Sequence, residues 1–184
     1  MSIPARLGLG IAWGLTRRSL KIKLMPGYTL AQAHHAFSFQ NCLAKADEIL
    51  RLCTNPSEVA VVVAEDSPDM RPFLKHVADL ISWRPLTIPS EFVAYSRDEH
   101  GASAQRQVEY RIERMIDTIH FAAKREAILL QIADACAYGL RRYFMDKPYS
   151  AEFAQCIAGR DPQEAFGGPS LETPWACGAF PIMA

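Results

Sequence analysis

The most regular pattern of apolar residues in the chain lies between Ala127 and Leu140, a run that has the length of a helix and contains no proline. Its apolar residues recur at the three- and four-residue spacings of a packed helix: Ile128, Leu129, Ile132, Ala133, Cys136 and Leu140. Asp134 is the only charged residue of this run, and it shares a narrow polar stripe with Gln131 and Tyr138. The pattern predicts a largely buried helix that carries one carboxylate.

Asp134 needs a compensating partner at such a position, because the burial of an unpaired charge is unfavourable. One interpretation is structural, with Asp134 in an ion pair or hydrogen-bonded in the core. The other interpretation is functional, with Asp134 as a metal ligand or a catalytic acid carried on the helix. Periodicity by itself leaves both open and favours the structural one, since perturbed acids are often structural.

A second informative segment is the apolar run that begins at Val59 and ends in Glu65 and Asp66. Its β-branched residues and alanines predict a central strand that is buried on both faces. Ser67-Pro68 then begins a helix that extends from about Asp69 to Trp83. Open α/β sheets gather ligand and catalytic groups at the carboxyl ends of their strands, so both acids are site candidates. Helix capping by Asp66 and Ser67 explains the same pattern equally well.

The remaining pattern predicts an α/β chain. Four further elements are expected: a strand over Leu7–Thr16, a helix capped by Thr29 that ends near Leu52, a strand-like segment over Tyr110–Phe121, and a short helix over Ala151–Ala158. Residues 159–184 are rich in glycine and proline, which predicts a loosely packed or disordered tail. Residues 1–158 are therefore expected to form a single domain.

Composition narrows the class of protein. The 184 residues are 49% hydrophobic, enough for one sizeable core, and 20 basic residues balance 20 acidic ones. A nucleic-acid surface would therefore be a local patch. The five cysteines form no C-x-x-C pair, which indicates a reduced, cytoplasmic setting. No apolar run reaches the length of a membrane span, so no membrane association is expected.

Common catalytic motifs are absent from the sequence. It contains no P-loop, no G-x-G-x-x-G, no G-x-S-x-G and no H-E-x-x-H, which argues against the most frequent nucleotide-binding, hydrolase and zinc-protease sites. No nucleophile or orienting partner is recognisable near His76, His100 or His120. A histidine-based enzyme is therefore disfavoured.

The late helix and the acid-ended strand together resemble the bacterial and phage family called domain of unknown function 3800. The more specific match is the late helix, with Phe121, Leu129, Leu130, Gln131, Ala133, Asp134, Ala137, Tyr138 and Arg142. The middle strand, ending in Glu65 and Asp66, is the less specific match. The resemblance covers roughly Leu7 to Ile157.

The resemblance implies a ribonuclease-H-like α/β fold, a mixed sheet flanked by helices, and a nuclease-like protein of mobile-element or defence character. It implies that Glu65, Asp66 and Asp134 hold Mg²⁺ or Mn²⁺ and that a metal-bound water hydrolyses a phosphodiester. Gln131 would orient Asp134 or a water in that site. The backbone of a nucleic-acid partner would contact cations near the late helix: Lys124, Arg125, Arg141 or Arg142.

The chain departs from the family at its beginning. The family opens with a strand that bears Asp-Glu-Ser followed by glycine, and this motif is absent here, so the chain is expected to be N-terminally truncated relative to the family. Two-metal hydrolysis needs enough carboxylates to hold two ions about 4 Å apart, which weakens the expectation of efficient cleavage. The alternative is a catalytically inactive structural or interaction module of the same fold. Its open sheet edge would pair with a partner strand or a second copy in a homo-oligomer.

Overall fold

The computed structural model describes residues 3–17, 27–53, 55, 57–83, 86–88, 108–110, 112–115, 117–167 and 175–180. The fold is mixed α/β, and within these ranges the strands form three two-stranded ladders. The elements in chain order are α1 (Ile3–Arg6), β1 (Ile11–Thr16), α2 (Leu30–Cys53), β2 (Val63–Glu65), α3 (Arg71–Trp83), β3 (Leu86–Ile88), β4 (Val108–Tyr110), β5 (His120–Ala122), α4 (Ile128–Phe144), α5 (Ser150–Ala158), α6 (Pro162–Phe166) and β6 (Trp175–Phe180). A 3₁₀ turn over Lys124–Glu126 joins β5 to α4.

The predicted helices are confirmed as α2, α3, α4 and α5. The start of α2 shows why the local signal is reliable. Thr29 and Gln32 cap the helix reciprocally: the backbone N–H of Gln32 donates to Thr29 Oγ1 at 3.2 Å, and that of Thr29 donates to Gln32 Oε1 at 2.9 Å. Such a capping box satisfies backbone donors that the first helical turn leaves free, so the sequence determines this boundary locally.

Strands β1 and β6 form an antiparallel ribbon, with Ile11 opposite Phe180 and Thr16 opposite Trp175. One face of the ribbon packs on the core cluster of α4, α5 and α6 through Ile11, Trp13 and Leu15. Helix α2 lies on the other face. There, a Cβ atom built on Gly14 would stand 2.3 Å from the backbone oxygen of Ser38. Only glycine permits so close an approach of helix and strand backbones.

Two segments of the expected loose tail, α6 and β6, form regular secondary structure, contrary to the expectation for these residues. Residues of that tail form α6, whose Phe166 is buried, and β6, which pairs with the full length of β1. The glycine and proline content of residues 159–184 indicated disorder, but strand pairing with a segment at the other end of the chain is a non-local interaction. A composition-based argument takes no account of it.

Strands β2 and β5 form a parallel pair, with Val63 opposite His120 and Glu65 opposite Ala122. One face of the pair packs on α3: Ala64, Leu74 and Ile119 form a buried cluster. The predicted burial of this strand on both faces is wrong, because Val59, Val61 and Val63 are all exposed. Alternate residues of a strand point to opposite faces, and among the described residues the covered face is the one toward α3. The strand-like segment over Tyr110–Phe121 resolves into the end of β4 and the start of β5.

Helix α4 is buried only in its C-terminal half, where the buried residues are Gly139, Leu140, Tyr143 and Phe144. Ile128 and Leu129 are 66% and 62% exposed, so the expectation of a largely buried helix is wrong for its first half. The reason is the placement of neighbours: α5 packs against α4, and the ribbon residue Trp13 contacts Phe144 with ring centroids 4.7 Å apart. No helix in the described ranges combines the length and the apolar character that crossing a membrane requires.

Candidate functional site

The candidate site lies where β2 and β5 end. Glu65 is the last residue of β2, and the backbone N–H of Asp66 still donates to the carbonyl oxygen of Ala122, the last residue of β5, at 3.0 Å. The 3₁₀ turn that follows β5 begins with Lys124, and α4 then brings Asp134 back toward the same edge. The carboxyl ends of two parallel strands and the first turns of one helix therefore surround this site.

Lys124 pairs with one acid of this edge, Asp134, and the other acid, Glu65, acts on it through its charge. Its Nζ lies 2.5 Å from Asp134 Oδ2, in an ion pair whose partners are both partly open to solvent. The pKa of Lys124 is raised above its ordinary value, first by the hydrogen bond to Asp134 and further by the negative charges of Asp134 and Glu65. The ammonium group is therefore stabilised mainly by its contact with Asp134, and to a smaller extent by the charge of Glu65.

Asp134 is not the buried carboxylate that the apolar run predicted. It is 59% exposed, and the buried residues of α4 all lie in the other half of the helix. Its partner is a lysine, so the expectation of a compensating cation is confirmed. Because Asp134 is mostly exposed, its carboxylate does not need Lys124 to offset a cost of burial.

Gln131 supports the turn that carries Lys124. Its side-chain Nε2 donates to the carbonyl oxygen of Lys124 at 3.2 Å. The sequence predicted that Gln131 would orient Asp134 or a water, and the contact it makes is instead with the backbone of the lysine. Gln131 thereby acts on the position of Lys124 relative to Asp134.

Asp66 has a different partner from the other predicted acids. Both of its carboxylate oxygens lie 3.4 Å from Nη1 of Arg71, the first residue of α3, in an ion pair at the protein surface. The guanidinium carbon of Arg71 lies 5.1 Å from the ring centroid of Phe121, so the cation also contacts an aromatic face. Asp66 is thus held beside the cluster of Glu65, Lys124, Asp134 and Gln131 by a separate pair.

The predicted cations lie in two places, the turn before α4 and the C-terminal end of α4, so they are not all gathered at the site. Arg125 is in the turn next to Lys124 and pairs with Glu126, Nε to Oε1 at 3.3 Å. Arg142 lies at the far end of α4, where its Nη2 donates to the carbonyl oxygen of Pro148 at 3.1 Å. Of the cations that the sequence proposed for a nucleic-acid backbone, Lys124 is the one that contacts a predicted site acid.

The donor set does not fit a two-metal centre. Within the described ranges, no three His, Cys, Asp or Glu side chains converge in a way that could hold a metal ion. A two-metal centre clamps both oxygens of an in-line displacement between two ions, which requires more carboxylates than Glu65 and Asp134. The positive charge that faces these two carboxylates is the ammonium of Lys124.

Sequence reasoning missed a carboxylate that is fully buried. Asp47 on α2 has no exposed surface, and its Oδ1 accepts hydrogen bonds from the backbone N–H groups of Glu113 at 3.0 Å and Arg114 at 2.7 Å. Its Oδ2 lies 3.1 Å from Nε of Arg51, one helical turn away. The only sequence signal for this group is the Asp–Arg spacing of four residues. Asp47 attaches the segment before β5 to α2.

Comparison of the chain with known protein families, with curated proteins and with solved structures finds no match. The resemblance to the domain of unknown function 3800 family therefore stays a prediction that rests on the residues of the late helix and the middle strand.

Proposed function

We propose that this protein is a ribonuclease-H-like, nuclease-related module in which Lys124 supplies the positive charge that a metal ion supplies in hydrolytic proteins. The observation that carries the proposal is the 2.5 Å contact between Lys124 Nζ and Asp134 Oδ2, with Glu65 acting on the same ammonium. In this proposal the cluster stabilises the edge of the sheet and the module binds a partner without cleaving it.

The arrangement of the acids supports the nuclease-related part of the proposal. Glu65 is the last residue of β2, which is parallel to β5, and Asp134 comes from the helix after β5. These two acids are remote in sequence, yet they approach one cation at the carboxyl ends of parallel strands. That edge is the usual position of functional groups in open α/β sheets.

Charge supports the inactive part of the proposal. Magnesium in proteins is commonly held by one or two carboxylates together with water and substrate phosphate. Here a divalent ion would have to displace the ammonium of Lys124 from Asp134 and then lie close to it. Repulsion between the two cations lowers the affinity for metal, because close like charges disfavour each other.

A second candidate function is phosphodiester hydrolysis with a single Mg²⁺ or Mn²⁺. It is favoured by the exposure of both acids, since Glu65 and Asp134 are open to a large polyanion at the protein surface. A bound metal ion would supply an activated water there. Lys124 and Arg125 would then contact phosphate, and such contacts give salt-sensitive binding that is independent of sequence.

An interaction role has its own support in β2 and the residues that lead into it. Val59, Val61 and Val63 present apolar side chains to solvent on one face. We propose that a partner strand or a second copy of the chain uses this part of the sheet. Light scattering over a range of protein concentrations tests the second copy, and a mass that stays monomeric at every concentration removes it.

A cleavage assay separates the two candidate functions. Single- and double-stranded DNA and RNA are incubated with the protein in Mg²⁺ or Mn²⁺, beside Asp134→Asn and the matched control Glu164→Gln, which changes an exposed acid of α6. The proposal expects no metal-dependent cleavage above that of Asp134→Asn. Cleavage that is lost in Asp134→Asn and kept in Glu164→Gln would establish the second candidate. Cleavage that is equal in all three proteins comes from a contaminating nuclease.

A further inference from the structure

Two cysteines lie on the side of the β1–β6 ribbon that faces α2. Cys177 on β6 is directly opposite Gly14 on β1. Directly opposed residues of an antiparallel pair point to the same face. A Cβ atom on Gly14 would meet the backbone of Ser38 on α2, so this face is the one that α2 covers. The side chain of Cys177 therefore points toward α2.

Cys42 points toward the ribbon from α2. Its Sγ donates to the carbonyl oxygen of Ala12 on β1 at 3.2 Å. Cys42 follows Ser38 by four residues and precedes Lys45 by three, so all three lie on one stripe of the helix. Ser38 Oγ donates to Thr16 Oγ1 at 3.2 Å, which confirms that this stripe contacts β1.

Electrostatic interactions between the side chains agree with this geometry. The negative charge of a Cys177 thiolate acts on Cys42, and the charges of Lys45 and Glu48 on the same helix act on Cys177. Both thiols are partly buried between helix and ribbon, and both are free. By contrast, Cys156 is exposed on α5, which packs with the cluster on the opposite face of the ribbon.

We propose that Cys42 and Cys177 form a reversible disulfide that joins α2 to β6 when the protein is exposed to hydrogen peroxide. One thiolate attacks a peroxide oxygen, the O–O bond breaks, and the thiol becomes a sulfenic acid while one water is released. The second sulfur then attacks the sulfenic sulfur, the S–O bond breaks, and the displaced hydroxide leaves with the second thiol proton as another water. The two thiols lose two electrons in total, and the peroxide gains them.

The surroundings of the two thiols make this reaction slow. Burial, with a smaller contribution from Cys177, raises the pKa of Cys42 to about 11. Burial also raises the pKa of Cys177, although Lys45 acts in the opposite direction. Because the thiolate is the reactive form, neither thiol reacts rapidly at neutral pH. The disulfide would hold β6, the last described strand, against the helix that covers its ribbon.

Peptide mapping tests the proposal on the full chain. The protein is treated with hydrogen peroxide, the remaining thiols are alkylated, and the digested peptides are analysed by mass spectrometry without reduction. We expect a peptide pair that joins Cys42 to Cys177, with a mass two hydrogens below the reduced pair, and we expect dithiothreitol to remove it. The pair should be absent from Cys42→Ser and Cys177→Ser and should persist in the matched control Cys156→Ser.

A second measurement follows the consequence of the link. The urea midpoint of the oxidised wild-type protein should rise and should return after reduction, because a cross-link restricts the unfolded chain. Peroxide treatment that oxidises Cys156 while Cys42 and Cys177 stay as alkylated thiols would overturn the proposal. So would a disulfide that joins either of them to a different cysteine. Mapping on the wild-type protein decides the question even if a serine variant fails to fold.

Discussion

Asp47 and Asp134 are both carboxylates on long helices, but their surroundings differ. Asp47 on α2 is fully buried, accepts hydrogen bonds from two backbone N–H groups and pairs with Arg51. Asp134 on α4 is mostly exposed and pairs with Lys124. The first acid is surrounded by groups that it holds in place, whereas the second lies at an open edge where solvent or a ligand can reach it.

The difference shows that an apolar run does not by itself bury the acid within it. The sequence around Asp134 is apolar, yet the half of α4 that carries it is exposed. The sequence around Asp47 contains Lys45, Glu48 and Arg51, yet Asp47 has no solvent contact. A side chain on a helix is buried where other elements pack against it. It stays accessible to solvent and ligands where they do not.

The largest effect should come from removing the buried acid. Asp47→Ala leaves two backbone N–H groups and Arg51 without their carboxylate, and we expect it to lower the free energy of unfolding by about 3 kcal/mol. Equilibrium denaturation in urea measures this change. The matched variant Asp134→Ala should change stability little, because exposed ion pairs contribute little. Equal losses in the two variants would contradict the comparison.

The two halves of α4 should also respond differently to truncation. Leu140 is buried in the cluster shared by α4, α5 and α6, so Leu140→Ala should cost about 2–3 kcal/mol of unfolding free energy. Leu129→Ala removes the same atoms from an exposed position and should leave the urea midpoint almost unchanged. A substantial loss in Leu129→Ala would mean that this half of the helix is covered in solution.

Removal of the cation should change metal binding at the exposed acid. Lys124→Met leaves Glu65 and Asp134 without their shared ammonium, so the affinity for Mg²⁺ or Mn²⁺ should rise severalfold in titration calorimetry. Lys45→Met is the matched control, since it removes a lysine from another surface ion pair, with Glu48 at 2.6 Å. Equal metal affinity in wild type and Lys124→Met would show that Lys124 does not compete with metal.

The smallest effect concerns the ionisation of Lys124. Its pKa is raised in the folded protein, so the pair with Asp134 favours folding at pH values below 10.5, the ordinary pKa of lysine. That contribution is lost as the pH rises through the raised folded-state pKa. In Asp134→Asn, side-chain NMR titration should show the pKa of Lys124 moving back toward its ordinary value. Glu65→Gln should produce a smaller decrease, and the reverse order would contradict the geometry of the cluster.

Several parts of this structure could be predicted from the sequence because their causes are local. Apolar periodicity located α4, and Thr29 with Gln32 located the start of α2. The pairing of Glu65 with Asp134 across one site came from the resemblance. Lys124 forms an ion pair with Asp134, and the charge of Glu65 makes a smaller contribution to the raised pKa of Lys124. Asp66 was included in the same predicted set, but Arg71 holds it in a separate pair, which depends on how α3 begins.

What the sequence by itself determined about this protein is the four longer helices, α2, α3, α4 and α5, and the identity of the acids at the end of β2 and on α4. These follow from spacing and capping, which act over a few residues. Only the tertiary structure decided that β6 pairs with β1, that Asp47 is buried and that Asp134 is open to solvent. Each of these depends on contacts between segments far apart in the chain. Local propensity cannot encode them, because burial and strand pairing exist only after the elements have packed.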